Sequence, residues 1–297
     1  MADRAEFAGI AVTSSLLDAV VVGFDGSTGS EQALAWAARE ARRRGRRLHV
    51  IHVWLPPPLV PAGLSLPHMP DSEAILDDAV ARAGSIWPDG TVTAQALPGP
   101  VDAAFIDASL EADTVVVGAP CHRRQAYRDF GSSAWQVAIH ALCPVVVVPE
   151  TTDPCDHRAV VVGVDGSAGS DRAVAYAFSS ASESDMEVVA VYGWRPGDVS
   201  AYSTTVWSAT ARAEQQRVHG DRLSGWLAPA TARFPGVRVR PVAVRRDPVA
   251  AILHEGLNAR LIVVGSRGRD GVRGLLLGSV GMGLLREATC PVAVIRT

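Results

Sequence analysis

The chain has 297 residues, 48% of them apolar, and a formal net charge of -3. That length suits two domains of ordinary size, and that charge gives no global field favouring nucleic acid or membrane. All 28 basic residues are arginine, which excludes a GxxxxGK[ST] P-loop, a protein kinase of ordinary form and a Schiff-base enzyme, since each needs a lysine.

The first residues, MADRAEFAGIAVTSSLLDA, contain no basic start followed by a long apolar block, and the expected location is the cytoplasm. AVVVGFD, from Ala19, is a β-branched run suited to a buried strand. GSTGS supplies turn and helix-cap residues, and SEQALAWAAREARRR has helical spacing up to Gly45. LHVIHVW is a second strand, followed by the proline-rich stretch LPPPLVPAGLSLPHMP. DSEAILDDAVARAGSIW reads as a helix, TVTAQAL as a strand and VDAAFIDASLEA as a helix. TVVVG is the fourth strand, GSSAWQVAIHAL the next helix and CPVVVVP the last strand.

At Ala159 the pattern starts again with AVVVGVDGSAGSDRAVAYA. Gly23, Asp25, Ser27 and Trp54 match Gly163, Asp165, Ser167 and Trp194, each pair 140 positions apart. Gly118, Cys143 and Pro144 match Gly265, Cys290 and Pro291 at a spacing of 147, so the second copy is about seven residues longer in its middle. A repeat of this size is a duplicated domain rather than a solenoid unit. The polar, proline-bearing segment PETTDPCDHR separates the copies, and the expected domains are residues 1–150 and 156–297.

Strands alternating with helices predict an α/β fold with right-handed crossovers. The expectation is two doubly wound, Rossmann-like domains, each with a five-stranded parallel sheet of order 3-2-1-4-5, arranged as a pseudo-dimer. The whole chain is expected to form a homodimer, pairing again through last-strand edges or flanking helices.

Ligands of such sheets bind beyond the carboxyl ends of the strands where the order reverses, here between the first and fourth strands of each copy. In the second copy the fourth strand leads into GSRGRDGVRGLLLGS, that is Gly265-x2-Gly268-x9-Gly278-Ser279. Gly265 permits a sharp strand exit, Gly268 a close backbone approach to an anion, and Gly278 and Ser279 open a helix whose free N–H groups suit a phosphate. The serine hydroxyl can cap that helix or donate to a phosphate oxygen. Arg267, Arg269 and Arg273 can neutralise charge; the alternative is a plain glycine-rich crossover with solvated arginines.

The spacing of this loop, after LIVVG and before TCPVAVI, resembles the nucleotide loop of ATP-binding universal stress proteins, and the VGVDGS start resembles theirs too. The likeness covers essentially the whole chain twice, as in a tandem universal stress protein. It implies an adenine-nucleotide-binding regulatory protein with ATP, with or without magnesium, at the switch point and at most slow hydrolysis. Asp165 would lie by the nucleoside, and Gly265, Gly268, Gly278, Ser279 and Val280 by the ribose and phosphates. Gly193 would meet adenine through its backbone, with Val53 its match in the first copy. The first-copy equivalents are Asp25, Gly118, Gly131, Ser132 and Ser133. Cys121 stands where the second glycine belongs, and Pro120 removes an amide donor there. If that backbone is left-handed, a non-glycine residue costs on the order of 1 kcal/mol, and weaker or selective binding is expected in the first domain. Arg123, Arg124 and Arg128 keep its loop cationic.

Two readings of Asp25 and Asp165 stand side by side. Each can accept hydrogen bonds from a nucleoside, or from the backbone of its own DGS turn. The cluster Arg42, Arg43, Arg44, Arg46 and Arg47 reads as a solvated helix end complementing the helix dipole. His49 and His52 fall three apart on a strand and make poor metal co-ligands. Trp54 and Trp194 recur at one repeat position, which favours packing. Cys121, Cys143, Cys155 and Cys290 show no metal or CxxC spacing and read as structural thiols. No nucleophile elbow, Walker set or paired catalytic acids occur, so no catalytic or metal-binding residue is assigned. Three other functions remain open: an ATP-using enzyme of the same fold, a dimerising module with structural glycine loops, or a redox sensor through Cys121.

Overall fold

The computed structural model describes residues 16–56, 70–119, 133–150, 159–195, 209–268 and 277–296. The first copy runs β1 (Ala19–Gly23), α1 (Thr28–Arg44), β2 (Arg47–Trp54), α2 (Pro70–Ile86), β3 (Val92–Pro98), α3 (Val101–Ala108), β4 (Thr114–Gly118), α4 (Ser133–His140) and β5 (Val145–Val148). The second runs β6 (Ala159–Gly163), α5 (Ala168–Ser182), β7 (Glu187–Gly193), α6 (Ala209–Arg233), β8 (Val239–Val244), α7 (Pro248–Gly256), β9 (Leu261–Gly265), α8 (Ser279–Glu287) and β10 (Val292–Ile295). The surplus length of the second copy sits in its second helix, with 25 residues in α6 against 17 in α2.

The strands form one ten-stranded sheet of order β3-β2-β1-β4-β5-β10-β9-β6-β7-β8, so each half has the order 3-2-1-4-5. Pairing is parallel within each half and antiparallel where the halves meet. There Val145, Val146 and Val147 face Val294, Ala293 and Val292. Val146 and Ala293 are matching repeat positions, so a pseudo-two-fold axis passes through that pair. The expectation that chains pair again through last-strand edges is corrected by this register. Those edges are paired to each other inside the chain, and the outer edges belong to β3 and β8. In β8, Pro241 lies opposite Ala190 and Arg240 opposite Val189, and a proline and a charge on an outer strand discourage further pairing.

Helices cover both faces, which is why the inner strands are apolar throughout rather than alternating. On one face α1, α2, α5 and α6 share a single core across both halves, with Leu34, Ala79, Phe178 and Leu223 buried in it. On the other face, two cores form around Phe105 and Val137 and around Ile252 and Leu284. Leu285 of α8 touches both, and Trp135 and Ile139 of α4 pack against the second-half core.

Local chemistry sets the helix ends. Ser27 caps α1 by accepting from the Ser30 N–H at 3.3 Å, and Ser167 caps α5 through Ser170 at 3.2 Å. Such a cap contributes about 1 kcal/mol. Gly45 ends α1 in the left-handed region at φ 60°, which favours glycine.

The arginines before and after Gly45 are not simply solvated, which corrects the helix-end reading. Arg44 has a side chain only 10% exposed and pairs with Asp113 at 2.6 Å and with Glu183 of the second half at 2.8 Å. Arg42 donates to the Ile86 carbonyl, Arg47 to the Leu17 carbonyl, and Arg46 pairs with Asp18. Arg43 pairs with Glu40 at 3.3 Å. Glu40, 1% exposed, also accepts from Arg260 at 2.6 Å across the interface between halves. Arg260 donates further to Ser180 Oγ at 2.9 Å, so the buried guanidinium is held on several sides.

Candidate functional site

β6 and β9 are neighbours, with Val160, Val161 and Val162 beside Leu261, Ile262 and Val263. Chain order reverses between these two strands, and their carboxyl ends open onto a cavity of about 370 Å³. Asp165, Gly193, Gly265, Gly268, Gly278, Ser279 and Val280 all line it. The structure thus brings these seven residues together, from three separate strand ends and one helix start.

Gly265 ends β9 where the first turn of α5 crosses it. A Cβ there would stand 2.6 Å from the backbone carbon and oxygen of Gly169, a distance that no side chain tolerates. Gly169 in turn has no room for a Cβ, which would meet the Arg267 carbonyl oxygen at 2.4 Å. The reason for Gly265 is therefore close helix packing rather than the turn alone. Gly268 has a different reason. Its φ lies outside the left-handed region, and the strain considered for Cys121 falls outside the described residues. What fills its side-chain space is Asp165, whose Oδ2 would be 2.5 Å from a Cβ on Gly268.

Asp165 uses its other oxygen in its own turn, accepting from the Ser167 N–H at 2.9 Å. The turn reading of this aspartate is thus present, and the carboxylate still lines the cavity. Ser170 accepts from the Gly166 N–H at 3.1 Å, so the segment between β6 and α5 is tied down before any ligand arrives.

The Gly278 N–H donates to the Ser266 carbonyl at 2.8 Å, closing the base of the loop. Gly278 is the N-cap of α8 and makes no side-chain cap bond. Ser279 is consequently the first helical residue rather than the cap, and its exposed side chain lines the cavity beside Val280 and Gly281. The N–H groups of a first turn lack intrahelical acceptors, and the helix dipole adds partial positive charge there. Arg267 lines the cavity as well; Arg269 and Arg273 lie outside the described residues.

Other lining residues were not singled out in the sequence: Arg222, Ser170, Tyr192 and Pro248. A signal for Arg222 was available, because the spacing of 147 pairs it with Ile75 in the first copy.

In the first copy Asp25 repeats the turn, accepting from the Ser27 N–H at 3.0 Å. Burial opposes ionisation of its carboxyl, yet hydrogen bonds from Ser27 and Ser30 hold the pKa below the usual 3.8. Gly118 repeats the close approach, with a Cβ there 2.6 Å from the Gly29 carbonyl. Val53 is half-buried near the end of β2, and Ser133 begins α4. Gly131, Ser132, Pro120, Cys121, Arg123, Arg124 and Arg128 lie outside the described residues, as does Cys155.

The remaining candidates are structural in their surroundings. His49 Nδ1 meets Thr93 Oγ1 at 2.8 Å, and His52 Nδ1 meets the Phe24 carbonyl at 2.9 Å. Trp194 is buried and stacks on His219 with ring centres 4.1 Å apart. Cys143 and Cys290 are buried, and burial pushes both thiols up to about 12. Among the described residues, no group of three metal-ligating side chains occurs and no helix is long and apolar enough to cross a membrane.

A doubly wound α/β domain written twice, with a glycine-lined cavity at the strand reversal, is the class that fold and site define. The chain belongs to the universal stress protein family, which it matches over residues 17–149 and again over 157–296. Two universal stress proteins of Mycobacterium tuberculosis are each 34% identical to it, over 293 and 292 residues, spanning 93% of this chain and 96% of theirs. The crystal structure of a universal stress protein from Archaeoglobus fulgidus superposes with a TM-score of 0.61 at 20% identity, covering 94% of this chain and 98% of that one. That likeness speaks to the fold.

Proposed function

We propose that the second domain binds an adenine nucleotide, ATP in the first instance, and that occupancy regulates what the chain does rather than serving catalysis. The observation that carries this reading is the cavity between β6 and β9, lined by Asp165, Gly193, Gly265, Gly268, Gly278 and Ser279 together. The donor set fits the ligand. The start of α8 and Arg267 offer N–H groups and charge to phosphates, and the Asp165 carboxylate, seated in the space that a side chain on Gly268 would take, can accept from a ribose hydroxyl. For magnesium the fit is narrower, because among the described residues Asp165 is the one carboxylate lining the cavity. A magnesium ion would be held mainly by the phosphates and water.

Domains 1–150 and 156–297 are the proposed binding units, with the first weaker because Cys121 replaces the second glycine. Localisation in the cytoplasm and a homodimer remain proposals. The chain pairs its own last strands, so a homodimer would use helices or loops. Equilibrium binding of labelled ATP to the purified chain tests the reading, with Gly268→Ala plus Gly278→Ala as the comparison. Saturable binding lost in the double variant supports it, and no binding at millimolar ATP with magnesium overturns it. Multiple-turnover assays at background rate separate it from an ATP-using enzyme.

A further inference from the structure

The helix α6 differs from its counterpart α2 in the residues it turns toward the sheet. His219, Arg222, Leu223 and Trp226 fall at positions i, i+3, i+4 and i+7, one stripe of the helix. Three of them fix the phase of that stripe. Leu223 is fully buried. His219 is 1% exposed and lies between the rings of Trp194 and Tyr192, at 4.1 and 5.5 Å. Trp226 packs edge-on to Tyr192 at 5.0 Å and covers the turn that carries Asp165. Its ring is so close to Gly166 that a Cβ there would be 2.3 Å away. Gly166 itself is left-handed at φ 76°, which favours glycine.

Arg222, one turn before Trp226, is exposed and lines the cavity. Other arginines of this half are committed: Arg217 pairs with Glu214 and Asp221, Arg240 with Glu255, and Arg195 with Asp247. Among the described residues Arg222 forms no ion pair. In the first copy the matching stripe is Ser72, Ile75, Leu76 and Ala79, and Ile75 packs into the core. The guanidinium thus has no equivalent there.

We infer that Arg222 is a specificity-determining residue of the second-domain site, reading the anionic part of its ligand from the side opposite the α8 N-terminus. It makes the second site selective for polyphosphate nucleotides over the bare nucleoside. This rests on the adenine-nucleotide reading above and adds a contact outside the glycine loop. A guanidinium forms charge-assisted, often paired hydrogen bonds with phosphate oxygens, and losing one such contact weakens binding about tenfold or more.

The test is equilibrium binding of ATP, ADP, AMP and adenosine to the full chain, wild type against Arg222→Ala and Arg222→Lys, with thermal unfolding of each as a control. The expected result is that Arg222→Ala lowers ATP and ADP affinity about tenfold, leaves adenosine affinity unchanged and unfolds like wild type, with Arg222→Lys in between. An ATP-to-adenosine preference unchanged in Arg222→Ala overturns this proposal alone. Equal losses for ATP and adenosine overturn it too, since they mark Arg222 as structural. A wild-type chain that binds none of the four overturns both this proposal and the nucleotide reading.

Discussion

Arg260 Nη1 lies 2.6 Å from Glu40 Oε2, a buried ion pair that joins the start of β9 in one half to α1 in the other. Removing Arg260 leaves the buried Glu40 carboxylate with only the more distant Arg43, at 3.3 Å, to balance it. Arg260→Met is expected to destabilise the chain by about 3–5 kcal/mol, while Glu40→Met plus Arg260→Met recovers most of the loss. Chemical denaturation of the two variants checks this. A single variant as stable as wild type would show that water reaches Glu40.

Gly268 and Asp165 compete for one space. Gly268→Ala is expected to displace the carboxylate, because the new Cβ would stand 2.5 Å from Oδ2. Since φ there is not left-handed, the stability cost stays under about 1 kcal/mol, whereas ATP affinity falls about tenfold or more. Calorimetry for binding and thermal melting for stability separate the two effects. A variant that binds like wild type contradicts the placement of Asp165.

The first domain carries Cys121 where the second has Gly268. Cys121→Gly is expected to raise the nucleotide bound per chain, from near one equivalent toward two. The nucleotide released on denaturing freshly purified protein gives the count. An unchanged count would place the first domain's deficiency elsewhere, Ile75 being the next residue to change.

Burial holds the Cys143 and Cys290 thiols up to about 12 against an ordinary 9. Between those values the unfolded chain loses protons that the folded chain keeps, so stability falls as pH rises above 9 and is unaffected below it. The slope approaches about 1.4 kcal/mol per pH unit for each thiol. A Cys143→Ala, Cys290→Ala variant, compared with its parent by denaturation at pH 8 and at a pH above 9, should show a shallower decline. In a Cys121→Ser, Cys155→Ser background, a thiol reagent near neutral pH should react only on unfolding.

Strand runs such as AVVVG and TVVVG were legible because a parallel strand covered on both faces must be apolar at every position. The capping serines, Ser27 and Ser167, were legible because a strand-to-helix turn leaves N–H groups that a nearby hydroxyl satisfies. The second-copy site residues come together because they sit at strand ends that strand order makes neighbours. The partners of Arg44 and Arg260 were not legible. A charge at a helix end looks solvated until another half of the chain is laid against it, and Glu40 lies 220 positions from its partner. Arg222 showed in the sequence only as a break in the repeat, opposite Ile75. Its role depends on the rotation of α6, which is set by where Leu223, His219 and Trp226 find room rather than by any motif.

The antiparallel junction of Val146 with Ala293 makes the strands of the two halves run in opposite directions, so their carboxyl ends lie on opposite rims of the sheet. Two identical subunits meeting this way would carry every substitution twice, and neither rim could change without the other. Covalent fusion removes that restraint. One rim can keep an arginine at residue 222 and a glycine at 268 while the other drifts to isoleucine at 75 and cysteine at 121. A symmetrical scaffold of this sort can answer two different signals, or one signal at two concentrations, without building a second fold.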